Sequence, residues 1–133
     1  MKAIIFDLDG TLCELKPESE KHNHTGKEKV IRITKTFFIS HPYNRIILTG
    51  RKEKYRAITD RWLKDHFGYY DELIMQSDPA VKNHIFKKEQ LILLKNKYDI
   101  VLMIDDNPEL VPVCEELSIP LFLFYKNEQP TQL

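Results

Sequence analysis

The chain has 133 residues, the size of one domain with a real hydrophobic core. Lys+Arg and Asp+Glu both number 20, so the formal net charge is zero and no strong overall field favours nucleic acid or an acidic membrane. No apolar run approaches the roughly 18 residues of a membrane helix. Cys13 and Cys114 lack CxxC spacing. These features predict a single cytoplasmic domain over residues 1–133 with two free thiols.

Five apolar runs rich in β-forming residues predict strands: Lys2–Phe6, Arg45–Leu48, Glu72–Met75, Ile100–Ile104 and Leu121–Phe124. Helical patterns alternate with these runs, which is the order of parallel βα units. Most of the runs are continuously apolar, as expected for strands whose sheet is covered on both faces. We therefore predict an α/β fold with a central parallel sheet of about five strands.

Four stretches have helical periodicity or a helix start signal. The first begins with a capping box at Thr25–Glu28 and continues through Val30, Ile33 and Phe37. The other three carry an apolar stripe or a capping residue followed by proline: Tyr55–Trp62, Asp78–Ile92 and Asn107–Leu117. Residues 13–24 are polar and without periodicity, which predicts a flexible loop.

The first candidate motif is Asp7-Leu8-Asp9-Gly10-Thr11-Leu12, directly after the first predicted strand. Gly10 permits a sharp turn, so Asp7 and Asp9 can converge on one small volume. Two clustered carboxylates repel each other unless a cation is present or one of them holds a proton. An isolated motif of this kind is equally well explained as an Asp-rich turn.

Two further motifs follow predicted strands. The hydroxyl and main-chain amides of Thr49-Gly50-Arg51 suit a phosphate oxygen, although alone this tripeptide is typical of a turn. Asp105-Asp106-Asn107 places two acids together at a strand end, which is costly without a partner. Oxygen ligands of this kind indicate Mg²⁺, and the alternative is a helix cap formed by Asn107.

A lysine on the helix after Pro79 would complete such a site, and the candidates are Lys82, Lys87 and Lys88. Helical periodicity does not choose among them, and a single lysine is usually solvated. The three motifs lie at the carboxyl ends of parallel strands, where open α/β sheets bind their ligands. This coincidence favours a functional site over three unrelated turns.

The motif beginning at Asp7, together with Thr49 and Asp105-Asp106, resembles the haloacid dehalogenase-like superfamily. The resemblance implies a Rossmann-like three-layer sandwich. Only about thirty residues separate the first two motifs, so we expect no cap domain or a minimal one, with residues 13–24 as a minimal lid. By this resemblance Asp7 is the nucleophile that forms an aspartyl-phosphate, and Asp9 is the general acid and then the general base.

The resemblance also implies the remaining roles. Thr49 and the amide of Gly50 hold the phosphoryl oxygens, and Thr11 joins the substrate contacts. Mg²⁺ is held by Asp7, the main-chain carbonyl of Asp9, and Asp106, with Asp105 reaching it directly or through water. The metal and the lysine neutralise charge on the transferred group, which is most of the task in phosphoryl transfer.

Within the superfamily, the segments Thr49–Leu63, Tyr70–Met75 and Val81–Phe86 are similar to the 3′-phosphatase domain of bacteriophage polynucleotide kinase. This likeness selects Lys82 as the catalytic lysine and makes Arg51 a phosphate or phosphodiester contact. The basic stretch of the phage domain is reduced here to Gln76–Pro79, which weakens the case for a polynucleotide. No GxxxxGK[ST] motif occurs, so ATP-dependent kinase activity is not expected.

The sequence therefore predicts a magnesium-dependent phosphomonoesterase, with 3′-phosphate ends of nucleic acid as the first choice of substrate. The alternative substrate is a nucleotide or another small phosphate ester. A third reading, from a different class, is a catalytically silent binding module that keeps the fold.

Overall fold

Five parallel strands form one sheet in the computed structural model, which describes residues 1–15, 23–31 and 42–124. The strands are β1 (Lys2–Phe6), β2 (Asn44–Lys52), β3 (Glu72–Gln76), β4 (Asp99–Asp105) and β5 (Leu121–Leu123). Their order is β3-β2-β1-β4-β5, and every neighbouring pair is parallel. The predicted α/β architecture is thus confirmed. The order reverses between β1 and β4, which makes the carboxyl ends of these strands a topological switch point.

Within the described residues, three helices connect the strands: α1 (Arg56–His66), α2 (Asn83–Lys95) and α3 (Leu110–Leu117). A 3₁₀ turn at Glu53–Tyr55 leads into α1. The helices α2 and α3 begin later than predicted because Asp78 and Asn107 accept the N–H groups two residues on, from Ala80 and Glu109, and so form turns first. In the described part of the chain, no helix is long and apolar enough to cross a membrane.

Two apolar clusters cover the two faces of the sheet. On one face α1 contributes Trp62 and Leu63, which pack with Phe6 of β1. On the other face α2 and α3 supply Leu91 and Leu110, and these pack with Ala3, Ile5, Ile46 and Leu48. Successive residues of β1 therefore point to opposite faces of the sheet. Because both faces are buried, the strand sequences are continuously apolar. Burying one such side chain stabilises the fold by about 1.5–3 kcal/mol.

The helix predicted to start at Thr25 is wrong for its described residues. Val30 forms an antiparallel bridge with Cys13, and the Ile31 amide donates to the Leu12 carbonyl at 2.8 Å. The Glu28 carboxylate does accept the Thr25 N–H at 3.1 Å, as in a capping box. The main-chain groups that follow are used in extended pairing, so no helix propagates from this cap. Ile33 and Phe37, and residues 16–22 of the predicted loop, lie outside the described residues.

Candidate active site

An acidic cluster forms where β1 and β4 end side by side. Asp7 follows the last residue of β1, Asp105 ends β4, and Asp106 comes next in the chain. The Asp7 amide donates to the Ile104 carbonyl at 2.9 Å, which ties the two strand ends together. One carboxylate oxygen from each of the three acids lies within 4.8 Å of the others. The structure thus brings residues 7 and 106 close enough to share one cation.

Burial and mutual repulsion shape the ionisation of this cluster. Burial, together with the charge of Asp105, raises the pKa of Asp7 well above its usual value, although Lys87 opposes the effect. Burial and Asp105 also raise the pKa of Asp106, despite a hydrogen bond with Asp7. A cation between these groups would relieve the repulsion, and carboxylate oxygens are the ligands that Mg²⁺ prefers. The donor set therefore fits the predicted metal.

Lys87 is the cation that the fold itself places in the cluster. Its ammonium group donates to Asp7 Oδ1 at 2.7 Å and to Asp105 Oδ2 at 2.8 Å, and its side chain is 1% exposed. Burial disfavours the charged amine, but Asp105 and Asp7 outweigh burial and raise the pKa of Lys87 above its usual value. Lys87 therefore stays charged and fixes the carboxylate of Asp7.

Lys82, the lysine selected by resemblance, lies outside this cluster. Lys82 is the exposed N-cap residue of α2, and it does not line the cavity above Asp7. Lys88 pairs with Glu116 at 3.0 Å on the surface. Lys87 lies beside Phe86 on the buried side of α2, one and a half turns beyond the predicted lysine. The only sequence signal for this position was that it falls close to an apolar stripe of the helix.

Thr11 orients Asp7 through a hydrogen bond. The Gly10 turn, with a φ of +89°, brings the Thr11 hydroxyl back to donate to Asp7 Oδ2 at 3.0 Å. The Thr11 side chain is fully buried, and this residue does not line the cavity above Asp7. The predicted contact of Thr11 with substrate stays a prediction. Asp7 is therefore held through one oxygen by Thr11 and through the other by Lys87.

A cavity of about 600 Å³ opens beside the acidic cluster, at the end of β2. Thr49 lines it, and its oxygen accepts the Arg51 N–H at 3.1 Å, which leaves the hydroxyl hydrogen for an oxygen in the cavity. Gly50 also lines it, and a Cβ at this position would lie 2.3 Å from Asn83 Oδ1. Only glycine allows Asn83 to pack there. Thr49 and Gly50 thus line the same cavity as Asp7.

Asp9 and Arg51 both line the same cavity, and Arg51 contacts Asp9 from its buried side. The Nε and NH2 groups of Arg51 donate to the two carboxylate oxygens of Asp9, each at 2.9 Å. The side chain of Asp9 is 24% exposed and that of Arg51 only 1%. Burial opposes ionisation of Asp9, but the hydrogen bonds from Arg51 outweigh it and keep the pKa of Asp9 below its usual value. The side chain of Asp9 is not among the three clustered acids.

The Arg51 guanidinium, predicted as a phosphate contact, is engaged by side chains of the protein. Besides the two bonds to Asp9, its NH1 group donates to the Thr59 hydroxyl at 2.9 Å. Neither Thr59 nor Glu28 was predicted as a site residue. Glu28 Oε2 lies 3.6 Å from NH2 of the same guanidinium. The only sequence signal for Thr59 was that a threonine falls within the apolar face of α1. Glu28 was assigned to a helix cap.

Asp7 just after the central strand β1, the acid pair at the end of β4 and a buried lysine on α2 define a haloacid dehalogenase-like domain. The model of the polynucleotide kinase PNKP phosphatase domain matches residues 1–127, so the chain belongs to that family. The likeness recognised from the motifs is thereby confirmed at the level of the family.

Known relatives are longer proteins. A protein of Autographa californica nuclear polyhedrosis virus, provisionally named a bifunctional polynucleotide kinase/RNA ligase, is 24% identical over 128 residues. That match covers 90% of this chain and 18% of the viral protein. The chain therefore spans less than a fifth of this relative.

Two solved structures share the fold. The structure of a Pnkp1/Rnl/Hen1 complex contains a chain that is 30% identical, with a TM-score of 0.81, and the match covers 96% of this chain and 47% of that one. The structure of the Pnkp1/Rnl/Hen1 RNA repair complex gives 29% identity and a TM-score of 0.81, over 96% of this chain and 43% of that one. This chain thus corresponds to less than half of each.

Proposed function

We propose that the protein is a magnesium-dependent phosphomonoesterase that removes the terminal phosphate from 3′ ends of nucleic acid. The main observation behind this proposal is that Asp7 borders an open cavity while Lys87 and Thr11 each bind one of its carboxylate oxygens. A carboxylate held in this way is positioned as a nucleophile. The family supports phosphatase chemistry at nucleic-acid ends.

The reaction that fits the residues has two steps. The Asp7 carboxylate attacks phosphorus, the bond from phosphorus to the substrate oxygen breaks, and Asp9 gives its proton to the departing alcohol. Asp9 then takes a proton from a water molecule whose oxygen attacks the aspartyl-phosphate, which releases phosphate and restores Asp7. The Thr49 hydroxyl and the Gly50 amide would bind the oxygens of the transferred group.

Asp7, Asp106 and the main-chain carbonyl of Asp9 would hold Mg²⁺, which when bound neutralises charge on the transferred group. Asp105 accepts hydrogen bonds from Lys87 and, at 3.0 Å, from the Asn107 amide. We therefore propose that the main role of Asp105 is to hold Lys87 in place. Its contact with the metal, directly or through water, stays a prediction.

Cationic and aromatic groups at the rim of the cavity support a polynucleotide over a small ester. Lys52 at the end of β2, Lys54 and Tyr55 just after it, and His24 all line the cavity. The His24 and Tyr55 rings meet edge to face, with centroids 4.8 Å apart. A phosphodiester next to the terminal phosphate would find positive charge there, and a base would find an aromatic surface. The formal net charge of zero thus conceals a local cationic rim.

The direct test measures phosphate release from a 3′-phosphorylated oligonucleotide and from the matching nucleoside 3′-monophosphate, each with Mg²⁺ and with a chelator. We expect the higher kcat/KM for the oligonucleotide, and loss of release from both in chelator. A higher kcat/KM for the mononucleotide would favour the small-molecule alternative. No release from either substrate by folded, metal-loaded protein would remove the enzyme proposal and favour a silent binding module.

The cationic rim gives a separate prediction. The double variant Lys52→Gln/Lys54→Gln should lower kcat/KM for the oligonucleotide about tenfold and flatten its salt dependence, because two phosphate contacts are lost. Turnover of p-nitrophenyl phosphate, which has no second phosphate, should be unchanged. The control is Lys2→Gln/Lys64→Gln, since these lysines pair with Asp99 and Asp60 instead of lining the cavity. Equal effects of both double variants would contradict the assignment.

The turn at Gly10 predicts a loss of metal affinity on substitution. A Cβ at Gly10 would lie 2.0 Å from Asp106 Oδ2, so Gly10→Ala must displace that carboxylate. We expect Mg²⁺ binding by calorimetry to weaken at least about tenfold, as for lost support of a metal ligand. Gly26→Ala is the matched control, because its φ of +81° imposes similar backbone strain but its Cβ meets only Ile58, at 3.5 Å. Both variants should lose about 1–3 kcal/mol of stability from that strain.

A further inference from the structure

Several described residues bind the guanidinium of Arg51. Its guanidinium meets Asp9 through two parallel hydrogen bonds, the Thr59 hydroxyl through NH1, and Cys13 Sγ at 3.7 Å through NH2. Glu28 Oε2 lies 3.6 Å from the same NH2. The two ion-paired side chains behind Asp9, those of Arg51 and Glu28, are each 1% exposed. A group buried and occupied in this way is poorly placed to bind a phosphate in the cavity.

Glu28 reaches this position because its segment runs extended instead of helical. Glu14 and Lys29 are paired through a main-chain hydrogen bond of 2.9 Å, and the Trp62 indole N–H donates to the Glu28 carbonyl at 2.9 Å. These bonds hold residues 28–30 against the segment that follows β1 and against α1. The Glu28 carboxylate then points at Arg51, and its Oε2 also accepts the Thr25 amide at 3.1 Å. These bonds therefore hold Glu28 in place independently of its ion pair with Arg51.

We infer that Arg51, anchored by Glu28 and Thr59, is a positioning residue for Asp9 and not a ligand of the phosphate. This inference rests on the proposed function, in which Asp9 moves the proton. A bidentate guanidinium fixes the plane of a carboxylate, which a single cation such as an ammonium group does not. Because Glu28 and Thr59 hold the guanidinium in turn, the orientation of Asp9 toward the cavity is set by residues that never touch the substrate.

The test uses two small esters that differ in their need for a proton. The leaving group of p-nitrophenyl phosphate departs as a stable anion, whereas that of p-nitrobenzyl phosphate is an alkoxide that needs the proton of Asp9. Values of kcat/KM report on steps up to loss of this group. We expect Glu28→Gln, Thr59→Val and Arg51→Lys to lower kcat/KM for the benzyl ester about 10–100-fold and for the phenyl ester less than about threefold.

Asp9→Asn supplies the reference pattern for lost proton transfer. Adding Glu28→Gln to Asp9→Asn should cost the benzyl ester nothing further, because a positioning residue acts only through the group that it positions. If kcat/KM instead fell equally for both esters because KM rose, Arg51 would be identified as a phosphate ligand and the inference would be overturned. If Arg51→Lys does not fold, the Glu28 and Thr59 variants still decide between these outcomes. Lack of turnover of both esters by the unchanged protein would be a failure of the proposed function itself.

Discussion

Asp7→Asn is expected to abolish phosphate release and to leave the fold intact. Loss of a covalent nucleophile costs on the order of 10⁴-fold or more in kcat, since no other group can form the intermediate. Burial and Asp105 already raise the pKa of Asp7, so the fold disfavours its charge. A neutral amide of the same shape should therefore keep or slightly raise the thermal midpoint without metal. Phosphate release and thermal unfolding of the same sample measure the two effects.

Asp99→Asn is the matched control for this substitution. Asp99 begins β4, at the opposite end of the sheet, and pairs with Lys2 at 3.2 Å on the surface. Activity and stability should both be close to those of the unchanged protein, because exposed ion pairs contribute little. Retention of activity in Asp7→Asn, with normal dependence on metal, would eliminate the aspartyl-phosphate route. Loss of folding would show instead that the charge of Asp7 is needed to hold Lys87.

Lys87→Met is expected to have the second largest effect, on both stability and activity. Removing one partner from a buried charged cluster costs about 3–5 kcal/mol, because Asp7 and Asp105 are then left side by side without their cation. Activity should fall at least about 10²–10³-fold, the effect of losing one electrostatic contact in a site of this kind. Added Mg²⁺ should restore part of the stability, because it also neutralises these carboxylates.

Lys82→Met separates the two assignments of the lysine. Lys82 is exposed, so its substitution should change stability by less than about 0.5 kcal/mol and leave kcat unaltered. Thermal unfolding and phosphate release of the two methionine variants should be measured in parallel. If Lys82→Met were inactive and Lys87→Met active, the assignment made by family likeness would return and the buried cluster would be purely structural.

Strand ends were predictable because their signals are local. An apolar run followed by an acid correctly predicted the ends of β1 and β4 at Asp7 and Asp105. The end predicted before Thr49 was too early, because β2 continues to Lys52. The parallel arrangement followed from the alternation of strands and helices, and the right-handed crossovers of such units leave few topologies to choose from. The convergence of Asp7 and Asp106 could therefore be anticipated without coordinates.

Side-chain direction was less predictable than strand position. Arg51 follows directly after Thr49 and Gly50, and the likeness to the phage phosphatase domain predicted it to be a phosphate or phosphodiester contact. The structure turns it inward because Asp9, Thr59 and Glu28 offer better partners than solvent. These three residues come from three different segments of the chain, so no local pattern could indicate that they meet.

The amino-acid sequence by itself determined the parallel sheet, the edge at which the acids gather and the family to which the chain belongs, because these depend on periodicity and on short motifs. Tertiary packing decided which lysine enters the cluster and what Glu28 does. The depth at which α2 packs on the sheet buries Lys87 and leaves Lys82 outside. Pairing with residues 12–14 replaces the helix that the capping box at Thr25 favoured. Both outcomes depend on contacts between distant segments, whose energies exceed the few tenths of a kcal/mol per residue by which local preferences differ.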